Sequence, residues 1–241
     1  MLRRPIMSIL LTTRYRTATT TVGPSSLVSR VLSSITKMAS PPQAVTASSS
    51  ETVTPKTDIP FNFGRASSRD EILYTCERPG GDPDLVGNSN NKISMDQVTP
   101  QIDFMKQKGI SHVLILLDDN ELEHYETPNL LLEAYHKAGM VTHRQPMGEP
   151  GAAASILTII KECSDDNEQN RNVKKIAAHC THGMGRSGRV AAAWLTEQYR
   201  LNPNEATDEV IAFARHMGIE RLGNAEKLAA WLTFCRRPAA Y

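Results

Sequence analysis

Apolar positions along this chain bunch into short runs and then spread to helical spacing, and the alternation between the two patterns sets out the elements. Val113, Leu114, Ile115, Leu116 and Leu117 form an unbroken apolar run, as expected of a strand covered on both faces. Shorter runs over 72–74 and 140–145, and a stretch through Lys175, Ile176, Ala177 and Ala178, predict three further strands. Between them the period lengthens. Ile102, Phe104 and Met105 mark a helix over 99–108, opened by Thr99 and Pro100 and closed by Gly109. Thr127 and Pro128 open a second helix, which Gly139 stops. A third runs over 152–163 and gives way to a polar loop over 164–172. Three more are predicted over 187–199, 205–215 and 225–234. Arg78, Pro79, Gly80 and Gly81 make a turn leading into a loop that reaches about residue 92. Strands alternating with helices predict a three-layer α/β domain, with a central mixed, mostly parallel sheet flanked by helices.

The densest chemistry lies where the last strand meets the next helix. Residues 179–187 read His179, Cys180, Thr181, His182, Gly183, Met184, Gly185, Arg186 and Ser187. A loop closing onto a helix N-terminus turns several backbone N–H groups toward one spot, and the helix dipole adds partial positive charge there. Gly183 and Gly185 allow the tight turn. Amides from Thr181 to Arg186 then form a nest for phosphate. The planar fork of Arg186 suits two phosphate oxygens. Cys180 falls beneath the phosphorus, where the same field favours the nucleophilic thiolate. The Ser187 hydroxyl is placed to donate to that sulfur as it leaves, and His179 to orient the loop through hydrogen bonds. His182 either adds charge to the pocket when protonated or faces away while its amide binds phosphate.

This stretch resembles the signature of the protein tyrosine phosphatase superfamily: His-Cys, five residues, then Arg followed by Ser. Looser likeness extends over about 64–236. It includes Arg78-Pro79-Gly80, the run from Gly109 through Glu121, and Arg215, Arg221, Asn224 and Trp231. The resemblance implies the three-layer fold of that superfamily and hydrolysis of phosphomonoesters through a cysteinyl-phosphate on Cys180. It calls for no metal or cofactor. It also implies a general acid on a loop about thirty residues before the cysteine, usually Asp. Here that loop spans 146–151, and its one carboxylate is Glu149, 31 residues upstream of Cys180. Glu carries the same group on a longer arm. Asp118 and Asp119, after the 113–117 strand, are rivals. Asp165 and Asp166 fall in the polar stretch and read as solvent-exposed. Some relatives form a reversible disulfide at the nucleophile. Cys76 and Cys163 are the candidates, against the reading that both are buried bystanders.

Charge is unevenly spread. Residues 1–50 hold six Lys or Arg, 18 Ser or Thr and no acid, so 21 of the 27 bases face all 26 acids in the remainder. Such composition reads as an organelle transit peptide, mitochondrial or plastid, or else as a disordered extension that leaves the protein cytoplasmic. Residues 51–63 read as a linker and 64–237 as the catalytic domain. No apolar run reaches the roughly 18 residues that span a bilayer, so no transmembrane segment is expected. No basic patch calls for nucleic acid. The four cysteines fit neither a zinc pattern nor a disulfide framework.

Substrate class is narrowed by what the loop lacks. Inositol-lipid phosphatases often carry lysines within the signature, and here the variable positions are Thr181, His182 and Met184. The large tyrosine-specific branch uses a late glutamine, and none follows Gln198. A dual-specificity or tyrosine protein phosphatase remains, with phosphorylated protein as substrate. Alternatives are a plastid phosphoglucan phosphatase, a mitochondrial phospholipid-phosphate phosphatase, or a pseudophosphatase that binds phosphorylated partners without turnover.

Overall fold

The structure of the protein, a computed structural model, describes residues 59–81, 92–169 and 174–235. All belong to one compact unit, Val53–Tyr241. Its sheet has five strands in the order β1-β2-β5-β3-β4. They are β1 (Gly64–Arg65), β2 (Leu73–Glu77), β3 (Ile110–Ile115), β4 (Val141–Arg144) and β5 (Lys175–Cys180). β1 runs antiparallel to β2, and the other neighbours are parallel. The expected mixed, mostly parallel sheet is therefore present. Parallel pairing sends the loops after β2, β3, β4 and β5 to one edge, where ligands bind in open α/β sheets.

Helices cover both faces. On one side lie α4 (Ala152–Gln169), α5 (Gly185–Tyr199), α6 (Pro203–His216) and α7 (Ala225–Cys235), packed through Ile156, Val190, Trp194, Val210 and Leu228. On the other lie α1 (Met95–Gln107) and α3 (Leu130–Lys137), packed through Met105, Leu131 and Tyr135 against Val113 and Ala177. The short α2 (Asp119–Leu122) follows β3. Trp194 is fully buried, and its indole N–H donates to Asp70 at 3.0 Å. The other Asp70 oxygen accepts from the Leu73 amide at 2.8 Å. One buried carboxylate thus ties the start of β2 to α5, the helix that follows the cysteine. Burial raises the Asp70 pKa, partly offset by these donors.

Several boundaries differ from the sequence reading, each for a local reason. α1 begins at Met95, not Thr99, because Ser94 and Gln97 form a reciprocal cap. Pro100 therefore sits inside the helix, and the Thr99 hydroxyl bonds the Met95 carbonyl at 2.7 Å. β3 is drawn by register to Ile110–Ile115, while Leu116 and Leu117 stay buried beyond its end. α4 continues through the expected polar loop to Gln169. Residues 59–63, read as the end of a linker, are folded: Pro60–Asn62 form a 3-10 turn and Phe63 is buried. The expectations for 1–50, most of 51–63 and 236–237 lie outside the described residues, as do the side chains of Asp166 and Cys235. No described helix is long and apolar enough to cross a membrane.

Candidate active site

Cys180 is the last residue of β5, and α5 starts at Gly185, so residues 181–184 alone connect strand to helix. Three carbonyls of this connection are taken by groups outside it. The Arg78 amide donates to Thr181 O at 3.3 Å, and the Asn62 side chain donates to His182 O at 3.1 Å. Met184 O accepts from Leu222 N at 3.4 Å and Gly188 N at 3.0 Å. With its carbonyls turned out, the loop leaves its amides for the interior, joined by the unspent first-turn amides of α5. Gly183 makes this turn possible. Its φ is +73°, and a Cβ there would lie 2.5 Å from the backbone of Cys76 and Glu77. Gly185 has open space around it.

Cys180 is 3% exposed, and its Sγ accepts a hydrogen bond from the Ser187 hydroxyl at 3.1 Å. This is the pair expected from the sequence. A cavity of about 310 Å³ opens at the loop, lined by Cys180, Thr181, His182, Arg186, Arg189 and Leu222, with Met184 and Gly185 also on its wall. Two guanidinium groups, Arg186 and Arg221, are electrostatically coupled to Cys180. Arg221 is buried and held by Thr75 Oγ1 and O, Asn62 O and Glu220 O. Its burial lowers its pKa to about 10.

The Arg186 fork pairs with a carboxylate of the protein itself. Nη1 donates to Glu121 Oε2 at 2.5 Å and to Leu116 O at 3.0 Å. Nη2 donates to Glu121 Oε1 at 2.5 Å and to Thr181 Oγ1 at 2.6 Å. Thr181 in turn donates to Glu121. Burial alone would raise the Glu121 pKa, but the hydrogen bonds from Arg186 and Thr181 outweigh it and hold it down to about 2. Glu121 stays ionised across the neutral and mildly acidic range. The sequence reading gave it no role. Its signal was Asp118 followed three residues later by Glu121, a reciprocal cap that starts α2 directly beyond β3.

His179 is buried, and neither ring nitrogen has a hydrogen-bond partner among the described residues. Burial, with Arg186 and Arg78 nearby, pushes its pKa down to about 3. It is therefore a neutral ring beside Tyr135, at 5.9 Å between centroids. It orients the loop through its backbone, whose O accepts from Leu116 N at 3.0 Å, and not through ring hydrogen bonds as expected. His182 is exposed on the cavity wall.

The candidate acids are spread along the same sheet edge. Glu149 lies on the exposed turn after β4, where the Gln145 amide donates to its Oε2 at 2.7 Å. The Trp231 indole anchors this turn by donating to Met147 O at 3.3 Å. β4 is two strands from β5, about 10 Å at ordinary strand spacing. Glu149 is not among the residues lining the cavity. Asp118 comes within 3.9 Å of Arg186, while Asp119 is paired with Arg144 at 2.6 Å. Asp165 is exposed. Cys76 packs on the α1–α3 face and Cys163 on the face that holds Cys180, and none of the three is in a disulfide.

A family profile described as cyclin-dependent kinase inhibitor 3 matches residues 74–206. The chain is similar to the cyclin-dependent kinase inhibitor 3 of Sus scrofa, at 36% identity over 109 residues covering 44% of this chain and 50% of that protein. It is 32% identical to the Homo sapiens protein of the same description over 109 residues, with the same shares of 44% and 50%. The chain spans about half the length of these curated relatives. Among solved structures it is similar to a kinase associated phosphatase whose catalytic-site cysteine is substituted by serine. That likeness has 25% identity and a TM-score of 0.49, covering 70% of this chain and 88% of the other.

Proposed function

The chain belongs to the cyclin-dependent kinase inhibitor 3 family, in the dual-specificity branch of the protein tyrosine phosphatase superfamily, and on that premise we propose that it is a cysteine-dependent phosphatase of phosphorylated proteins. One observation carries the reading: the Cys180 sulfur, already receiving the Ser187 hydroxyl, ends a strand beneath a loop whose carbonyls all but one face away. The phosphate of the substrate enters the cavity and is held by the loop amides and Arg186, with Glu121 sharing the guanidinium. The Cys180 thiolate attacks phosphorus. The S–P bond forms as the bond to the leaving oxygen breaks, and Glu149 gives that oxygen its proton. Water then attacks the cysteinyl-phosphate, Glu149 takes up a proton, and phosphate departs as the Ser187 hydroxyl supports the returning thiolate. The names of the relatives make a phosphorylated cyclin-dependent kinase the first protein substrate to try.

A binding-only reading draws on two features, the engagement of both Arg186 terminal nitrogens by protein groups and the exposed position of Glu149. Turnover separates the two. The full chain should hydrolyse a small aryl phosphate in excess chelator and be blocked by vanadate. Binding without release of phosphate would leave the pseudophosphatase reading, and activity lost to chelator would mean a metal-dependent reaction instead.

We also propose that residues 1–50 act as an organelle transit peptide, from their bases, hydroxyl residues and lack of acids. Fused to a fluorescent reporter, this segment should carry it into mitochondria or plastids. A diffuse cytosolic signal would sink the proposal and leave a disordered extension.

A further inference from the structure

We infer that Asn62 is a positioning residue of the reaction: its side-chain amide locks the His182–Gly183 peptide with the Gly183 N–H turned toward the substrate phosphate. The inference rests on the phosphatase reading above and adds a residue from outside the 180–187 loop to the apparatus that binds phosphate. Asn62 lies 120 residues ahead of His182, at the end of the 3-10 turn that precedes β1. Every polar atom of its side chain is committed. Nδ2 donates to His182 O at 3.1 Å and to Glu220 O at 3.2 Å, and Oδ1 accepts from Glu220 N at 2.9 Å. The Asn62 carbonyl accepts from Arg221 Nη2 at 2.8 Å, and the same nitrogen donates at 2.8 Å to Thr75 O on β2, the strand beside β5. The base of the clamp is therefore fixed to the sheet.

Holding it there takes an unusual backbone. Phe61 and Asn62 are consecutive left-handed residues, with φ of +63° and +48°, and neither is glycine. Such outliers persist where surrounding contacts over-determine them, and they gather at functional sites. Here the Phe61 ring sits edge-on to Phe104 at 5.5 Å and Phe63 stacks on Tyr74 at 5.2 Å, so the turn is pinned on both sides of Asn62. What the clamp holds is the peptide most ready to turn over. A planar trans peptide points its C=O and N–H in opposite directions, so drawing His182 O outward sends Gly183 N–H inward. Gly183 has no side chain to oppose the reverse orientation, and the His182 side chain is exposed. The neighbouring carbonyls have backbone donors: Thr181 O takes Arg78 N, and Met184 O takes Gly188 N and Leu222 N. Of these three carbonyls, among the described residues, His182 O alone depends on a side chain, so one substitution removes its restraint. Turned over, that peptide presents an oxygen to the anion and removes one donor from the nest.

The test measures anion affinity in the full chain. Asn62→Ala should raise KM for a small aryl phosphate and the inhibition constant of vanadate about tenfold each, with kcat within about twofold of the parent, because a bound anion reselects the competent loop. Asn62→Gly suits the left-handed backbone, and Asn62→Asp keeps an acceptor for Glu220 N, yet neither donates to His182 O, so both should show the same loss. A parent-like KM and inhibition constant in either one would overturn the clamp, since backbone shape or the Glu220 bond would then suffice. Asp70→Asn is the control for stability. It weakens the tie between β2 and α5 at the end of the strand away from Cys180, so it should lower Tm without moving either constant. If it moves both as far as Asn62→Ala does, general loosening explains the effect and the clamp is overturned. Parent turnover alongside unchanged constants in the Asn62 variants leaves the phosphatase standing and removes only the clamp. If the parent turns nothing over, the phosphatase reading fails, and calorimetry with inorganic phosphate on the same variants still decides the clamp: a loss of about tenfold supports it, and equal affinity removes it.

Discussion

Cys180→Ser removes turnover, to below about 1% of the parent activity, while phosphate and vanadate-like anions continue to compete for the site. The reason is the division of labour within residues 180–187. In the proposed mechanism anion binding comes from backbone amides and from Arg186, which the substitution leaves alone, and the loop conformation is fixed by Asn62, Arg78, Leu222 and Gly188 rather than by the sulfur. Attack on phosphorus, by contrast, needs an ionised nucleophile, and a serine hydroxyl is not ionised by a field that suffices for a thiol. The substitution is nearly isosteric, and the Ser187 hydroxyl that now donates to Sγ at 3.1 Å can donate to the new oxygen, so the fold is kept. Steady-state hydrolysis of an aryl phosphate gives the rate, and mass spectrometry of acid-quenched enzyme gives the phosphoenzyme, present in the parent and absent in the variant. Residual turnover well above 1%, or a phosphoenzyme that survives the substitution, would move the nucleophile elsewhere.

How much of this site the sequence disclosed depends on the range over which each residue acts. The order of Cys180, Gly183, Arg186 and Ser187 is local, because one strand, one tight loop and one helix start fix all four. Spacing alone therefore places the sulfur, the hydroxyl and the positive φ of Gly183. The clash that bars a Cβ at Gly183 was not legible, since it involves the backbone of Cys76 and Glu77, over a hundred residues away. The same holds for Glu121. Its capping box with Asp118 is written in four consecutive residues, yet its bond to Arg186 exists only because β3 and β5 are neighbours in the sheet. His179 fails in the opposite direction. Its position beside the nucleophile suggests ring hydrogen bonds, but strand alternation turns the ring into the α1–α3 side of the core, next to Tyr135, where it stays neutral. The polar run that extends α4 is a weaker case of the same kind. Polarity predicts exposure, and an exposed helical turn satisfies it as well as a loop does.

Glu149→Gln lowers kcat by about 10²- to 10⁴-fold on an alkyl phosphate or phosphopeptide, the usual range for a positioned general acid. An alkoxide leaves phosphorus badly unless it is protonated, so removing the proton donor exposes the full difficulty of the step. On an aryl phosphate with a good leaving group the loss is much smaller, because little protonation is needed. Distance is the main obstacle to the assignment. Glu149 is held by Gln145 on an exposed turn outside the lining of the cavity, whereas Asp118 already lies 3.9 Å from Arg186. The turn is short, rests on the Trp231 bond to Met147, and leaves the same sheet edge as the cysteine loop, so the long glutamate arm has to swing in from a fixed base. Gln145→Ala, which frees that arm, should leave the alkyl phosphate rate unchanged or higher. Glu149→Asp keeps the carboxyl on a shorter arm and should retain a substantial part of the activity. If Glu149→Gln instead matches the parent on both substrates while Asp118→Asn loses the alkyl phosphate reaction, the proton comes from the loop after β3, and Glu149 is only a surface acid.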